Sequence, residues 1–162
     1  MKRGGVASMG VLLALAMVLS YAESLVPVQF FLPGIKLGLA NLVIFIALYE
    51  LDAPRALLIS LMRLLLVAFT FGSLFSMLYG LAGALLSFAV MVLLKKTDKF
   101  APVTVSAVGG ASHNVGQIIA AVLITKSGGL AVYLPVLLVG GVVSGICIGL
   151  LGEVLRKRVF AK

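Results

Sequence analysis

The chain has 162 residues, of which 62% are hydrophobic and only 11% charged, and its mean hydropathy is +1.25. Several apolar runs reach the roughly 20 residues that a helix needs to cross a bilayer, and no hydrophilic stretch is long enough to fold as a separate soluble domain. A net charge of +8 would suggest nucleic acid in a soluble protein, but in a membrane protein it calls first for a topological explanation.

The apolar runs predict an all-α membrane protein: one integral-membrane domain over 1–162, a six-transmembrane-helix bundle with helices near 6–22, 36–50, 54–74, 78–94, 101–125 and 130–155. The first run follows Met1-Lys-Arg3 and ends at Ser20-Tyr-Ala22, which also resembles a secretory signal with a small-x-small cleavage site. Its length, and Glu23 directly after it, favour a helix that stays attached. Within it Gly10/Ala14 and Ala16/Ser20 form small-residue steps suited to close packing inside the bundle or to docking a partner helix.

The connection over 23–35 is unusual. Ser24-Leu-Val-Pro-Val-Gln-Phe-Phe-Leu-Pro-Gly34 is apolar and carries two prolines. The helix after it has about 15 residues, hence about 22 Å, short of the roughly 30 Å hydrocarbon core. Irregular backbone at that depth must be buried in protein or line a cavity, so a loop folding over the outer face is expected. An interfacial loop held by Phe30 and Phe31 fits the same residues.

Glu50-Leu-Asp-Ala-Pro-Arg55 reads as a tight turn with Asp52 as N-cap and Pro54 opening the next helix. Lys95-Lys-Thr-Asp-Lys99 and Lys126-Ser-Gly-Gly129 are two further short turns. The last helix carries Gly141, Gly145 and Gly149, a stripe that lets helix backbones approach in lipid. Cys147 is the single cysteine, so no disulfide framework exists.

With both termini cytoplasmic, Lys2, Arg3, Arg55, Lys95, Lys96, Lys99, Arg156, Lys157, Arg158 and Lys162 all fall on the cytoplasmic side. Lys36 and Lys126 fall outside, and Arg63 lies within a span. This is a strong positive-inside bias, and it accounts for the basic composition without nucleic acid.

Six polar residues then stand out in apolar text: Lys36, Asn41, Arg63, His113, Asn114 and Gln117. Ionisable and amide groups at membrane depth are costly, face a bundle interior or cavity, and point to a functional site. His113 and Gln117 are i and i+4 on one helical face, which Gly109 continues. Arg63 at mid-membrane costs at least about 2.5–3.5 kcal/mol and calls for a partner: Glu23, helix carbonyls or a bound anion. With Lys36 and Lys126 near the outer mouth, the set favours a ligand carrying a carboxylate, phosphate or sulfonate, although snorkelling of both lysines to the interface fits the same positions. Interhelical hydrogen bonds of about 0.6–2 kcal/mol each are the plainer purpose for the amides.

Catalysis finds little support. One histidine with a distant glutamate does not make a metal site, and the only aspartates, Asp52 and Asp98, lie in turns away from the polar set. There is no phosphate-binding loop and no nucleophile–base constellation, so no catalytic residue, metal or cofactor is assigned.

These residues carry a resemblance. Gly34-Ile-Lys-Leu-Gly-Leu-Ala-Asn-Leu42, Arg63 with its apolar run, Ser112-His-Asn-Val-Gly-Gln117 and Tyr133-Leu-Pro-Val-Leu137 resemble the Gx transporter family, often labelled heptaprenyl diphosphate synthase component I. The acidic magnesium-binding motifs of prenyl synthases are missing from the sequence. The family in turn resembles the substrate-binding S subunits of energy-coupling factor (ECF) transporters. That resemblance implies a multi-pass protein of the cell membrane which binds a micronutrient under its first outer loop. It also implies a transmembrane coupling protein and two cytoplasmic ATPases as partners, met by small residues of the first helix. The Ala-x-x-x-Ala usual there appears only as Gly10/Ala14 and Ala16/Ser20. A membrane accessory of isoprenoid or quinone metabolism, or a purely structural bundle, are the alternatives.

Overall fold

The computed structural model describes residues 5–26 and 38–160. They form six α-helices and no strand: α1 (Val6–Leu25), α2 (Leu39–Glu50), α3 (Ala53–Thr70), α4 (Leu74–Lys96), α5 (Pro102–Thr125) and α6 (Leu134–Leu155). A 3-10 helix over Gly128–Tyr133 leads into α6, and a π turn over Arg156–Phe160 follows it. Five helical segments are long and apolar enough to cross a membrane: α1, α3, α4, α5 and Gly128–Val159 around α6. The chain is a multi-pass membrane protein.

The sixth helix departs from the expected span. α2 has 12 residues, about 18 Å at 1.5 Å rise. It starts at Gly38, whose φ of +74° is left-handed, a conformation glycine adopts without a Cβ penalty. Eight of its residues, Ala40 and Leu42 to Leu48, are buried. A helix apolar on all sides belongs inside a protein, and α2 is the central post of the bundle, packed by α1, α3 and α6. Val43, Ile44, Ala47 and Leu48 meet Leu12 and Ala16 of α1, Ala56 and Ile59 of α3, Phe88 and Met91 of α4, and Val105 of α5.

The other half of the bundle is closed by glycine. Gly141 faces Gly110, and a Cβ built on it would lie 2.6 Å from the Gly110 carbonyl oxygen. Gly145 meets Ser106 and Ala107, Gly149 meets Val103 and Ser106, and Gly116 meets Ala82 and Gly83 of α4. The stripe read from the sequence therefore packs α6 onto α5 backbone to backbone, and α5 onto α4 by the same means.

Several helix ends move from their expected positions. α1 runs on through Glu23 to Leu25, since a glutamate near a helix end needs no break. α3 stops at Thr70 and α4 begins at Leu74, because Ser73 caps α4 by accepting from the Ser76 amide at 3.1 Å. The predicted Asp52 cap is present, its Oδ1 accepting from the Arg55 amide at 2.9 Å, with Pro54 in the first turn. The loop over 23–35 and Lys36 fall largely or wholly outside the described residues.

The candidate docking residues divide. Ala16 and Ser20 are buried against the chain's own helices. Gly10 and Ala14 are exposed on the outer side of α1, and nothing lies within 4 Å of a Cβ built on Gly10.

Candidate functional site

A cavity of about 390 Å³ runs through the middle of the bundle. All six helices line it. In α4 its wall is one continuous stripe from Ser76, Met77 and Gly80 through Ala84 to Ser87, Phe88 and Met91. These positions recur at i+3 and i+4, so a single face of α4 looks into the cavity over about 22 Å.

Five of the six sequence-selected residues, Asn41, Arg63, His113, Asn114 and Gln117, line this one cavity. Lys36 lies outside the described residues, and Lys126 is exposed at the end of α5 and takes no part in the lining. The convergence draws on α2, α3 and α5, which approach from different sides. His113 and Gln117 sit where they do because Gly83 of α4 has no side chain: a Cβ there would meet the His113 carbonyl oxygen, its Cε1 and Gln117 Cγ at 3.0 Å or less.

Each residue is held differently. Asn114 donates from Nδ2 to the Leu137 carbonyl of α6 at 2.5 Å and is buried, so half of its amide ties α5 to α6. Arg63 donates from an Nη to Ser20 Oγ at 3.3 Å, while its Nε is buried and has no hydrogen-bond partner among the described residues. A buried donor without a partner forfeits about 1–3 kcal/mol, more when it is charged, so this guanidinium is under-satisfied. Glu23 lines the cavity too and acts electrostatically on Arg63. One of its oxygens, Oε1, already accepts the Gly38 amide at 2.6 Å, at the N-terminal end of α2 where a helix favours negative charge.

The sequence reading passed over part of the lining. Ser60, Ser87, Ser106 and Ser144 add hydroxyls to the wall, as does Ser20. Ser60 stands three residues before Arg63, and Ser106 three before Gly109, so helical spacing from the selected residues was the available signal. The apolar wall includes Phe45, Phe71, Phe88, Met77, Met91 and Ile148. Tyr21 of α1 meets Phe71 edge to face, with centroids 5.4 Å apart, and so joins α1 to α3 beside the wall.

Chemically this is a polar belt in an apolar sleeve, of the size that holds small molecules. Among the described residues no three His, Cys, Asp or Glu side chains converge on a metal-sized space. Comparison with curated proteins and with solved structures finds no match. The family model described as heptaprenyl diphosphate synthase component I matches residues 12–155, which takes in every residue that lines the cavity, and the chain belongs to that family.

Proposed function

We propose that this chain binds a small solute as the membrane subunit of an ECF-type uptake transporter, and that it is not itself an enzyme. The observation that carries the reading is the convergence of Asn41, Arg63, His113, Asn114 and Gln117 on one cavity, with Arg63 Nε buried and unpartnered among the described residues. A cation inside a membrane bundle marks a pathway or binding site, and a carboxylate, phosphate or sulfonate on the solute would complete its coordination. The solute is then a small anionic or polar-headed micronutrient, with Lys36 joining the same set. Transport needs energy that this chain has no phosphate loop to extract, so a transmembrane coupling protein and two cytoplasmic ATPases in the cell membrane are the proposed partners. Gly10 and Ala14 lie on the exposed side of α1, beside Val11, Leu15 and Val18, where such docking is proposed.

The test is retention. The protein purified in mild detergent should carry a stoichiometric small molecule detectable by mass spectrometry. Replacing His113 and Gln117 by Ala should remove it, by roughly tenfold or more in affinity, with the bundle still folded. Undiminished binding in that variant would refute the site. The family description favours a second reading, an accessory of isoprenoid metabolism. Loss of polyprenyl synthesis on deletion, without any uptake defect, would select it; co-purification of an ATPase pair would select uptake.

A further inference from the structure

The stripes that line the cavity do not end at its floor. In α2 the innermost lining residue is Phe45, in α4 it is Met91, and in α6 it is Ile148. Four residues further along the same faces stand Tyr49 and Lys95, and eight residues beyond Ile148 stands Arg156. These three side chains meet. Lys95 Nζ and Arg156 Cζ each lie 4.8 Å from the centroid of the Tyr49 ring, which also packs on Phe45 at 4.8 Å. Arg156 Nε donates to Glu50 Oε1 at 2.8 Å, and Lys95 Nζ donates to the Leu48 carbonyl at 2.5 Å.

This cluster has a specific task in the fold. The last carbonyls of α2 carry partial negative charge, and its own last turn contains no basic residue. The cations come from two other helices, so the end of α2 is fastened to the ends of α4 and α6 directly beneath the cavity. Glycine prepares the site: Gly152 of α6 faces Phe45, and any side chain there would push the two apart. The charged fastenings are hydrogen-bond, ion-pair and cation–π contacts at the rim of the bundle, beside exposed Lys96 and Lys157, the latter paired with Glu153 at 2.9 Å, and they lie over an apolar layer in which Tyr49 and Leu155 pack on Leu42, Phe45, Ile46 and Ile148. They can be exchanged for water, unlike the glycine seams of α4 to α6.

We propose that Tyr49, Glu50, Lys95 and Arg156 form a latch that holds the basic end of the cavity shut, and that its release opens the cavity to that side. A solute held at the Arg63 level then has a route toward the basic end through this chain itself. The route rests on the solute-binding reading; the latch as a closure does not.

Accessibility tests it. Ser106, in the wall near this end, is changed to Cys in a Cys147→Ala background, and a membrane-impermeant maleimide is added from the basic side of oriented vesicles. With the latch intact S106C should be protected. Arg156→Glu should raise its labelling roughly tenfold or more, and the exchange Glu50→Arg with Arg156→Glu should restore most of the protection. Recovery in the exchanged pair excludes simple misfolding. Equal labelling of S106C with and without Arg156→Glu would overturn the latch, as would an exchanged pair as reactive as the single variant. A Ser76→Cys control should label from the opposite side only. No solute is needed, so this result stands apart from whether the cavity carries one.

Discussion

Arg63 and Asn114 illustrate two kinds of buried polar side chain in one wall. Asn114 gives its amide nitrogen to the Leu137 carbonyl, whereas Arg63 Nε finds no partner among the described residues. Their replacements should therefore separate. Arg63→Met removes a cation whose burial costs about 2.5–3.5 kcal/mol on insertion scales, so thermal stability in detergent should hold or rise while the co-purifying solute is lost. Asn114→Leu should lower stability by about 0.6–2 kcal/mol in a denaturant titration, with a smaller effect on binding than Gln117→Ala. If Arg63→Met unfolds the protein, the cation is a structural brace and the anion reading fails. The polar residues themselves were legible because membrane depth makes each of them anomalous. Glu23 was legible as a charge partner, but its bond to the Gly38 amide was not, since it depends on α2 beginning beside α1.

At the scale of elements, apolar run length revealed the helices, while their ends answered to local chemistry. Run length puts the break between the third and fourth helices at 75–77, inside what is α4, whereas the Ser73 hydroxyl decides where α4 begins. The glycine stripe of α6 was readable from its spacing, but its partner was not, because a stripe does not name the helix it faces. The structure answers with Gly110, Ser106 and Val103 of α5. Gly141→Leu should force α5 and α6 apart and cost about 3 kcal/mol or more, seen as a sharp fall in melting temperature. Gly10→Leu meets open space and should change stability by less than about 0.5 kcal/mol. Impaired uptake in that stable Gly10 variant is the outcome expected if this face of α1 docks the coupling protein.

The whole molecule has two unlike ends. Lys95, Arg156, Lys157 and Asp52 gather at one, while Phe71, Leu74 and Phe75 stand near the other. Charge counting anticipated that polarity, and it predicts that Lys99→Cys and Arg158→Cys label from the cytoplasm and Lys126→Cys from outside, in a Cys147→Ala background. Labelling of all three from one side would reject the proposed orientation. The convergence of five polar residues on a single cavity was only partly legible, because it required knowing how α2 sits among its neighbours. That placement bears on how the protein is made. Lipid would flank a freshly inserted segment, but α2 is too short to bridge the bilayer unaided and its sides are fitted to protein. Its resting place against α1 is completed only by helices that emerge after it, with Gly152 of α6 and Arg156 just beyond that helix among the last. The centre of the molecule is thus completed from its far end, and synthesis halted before α6 would leave the central post without its seat.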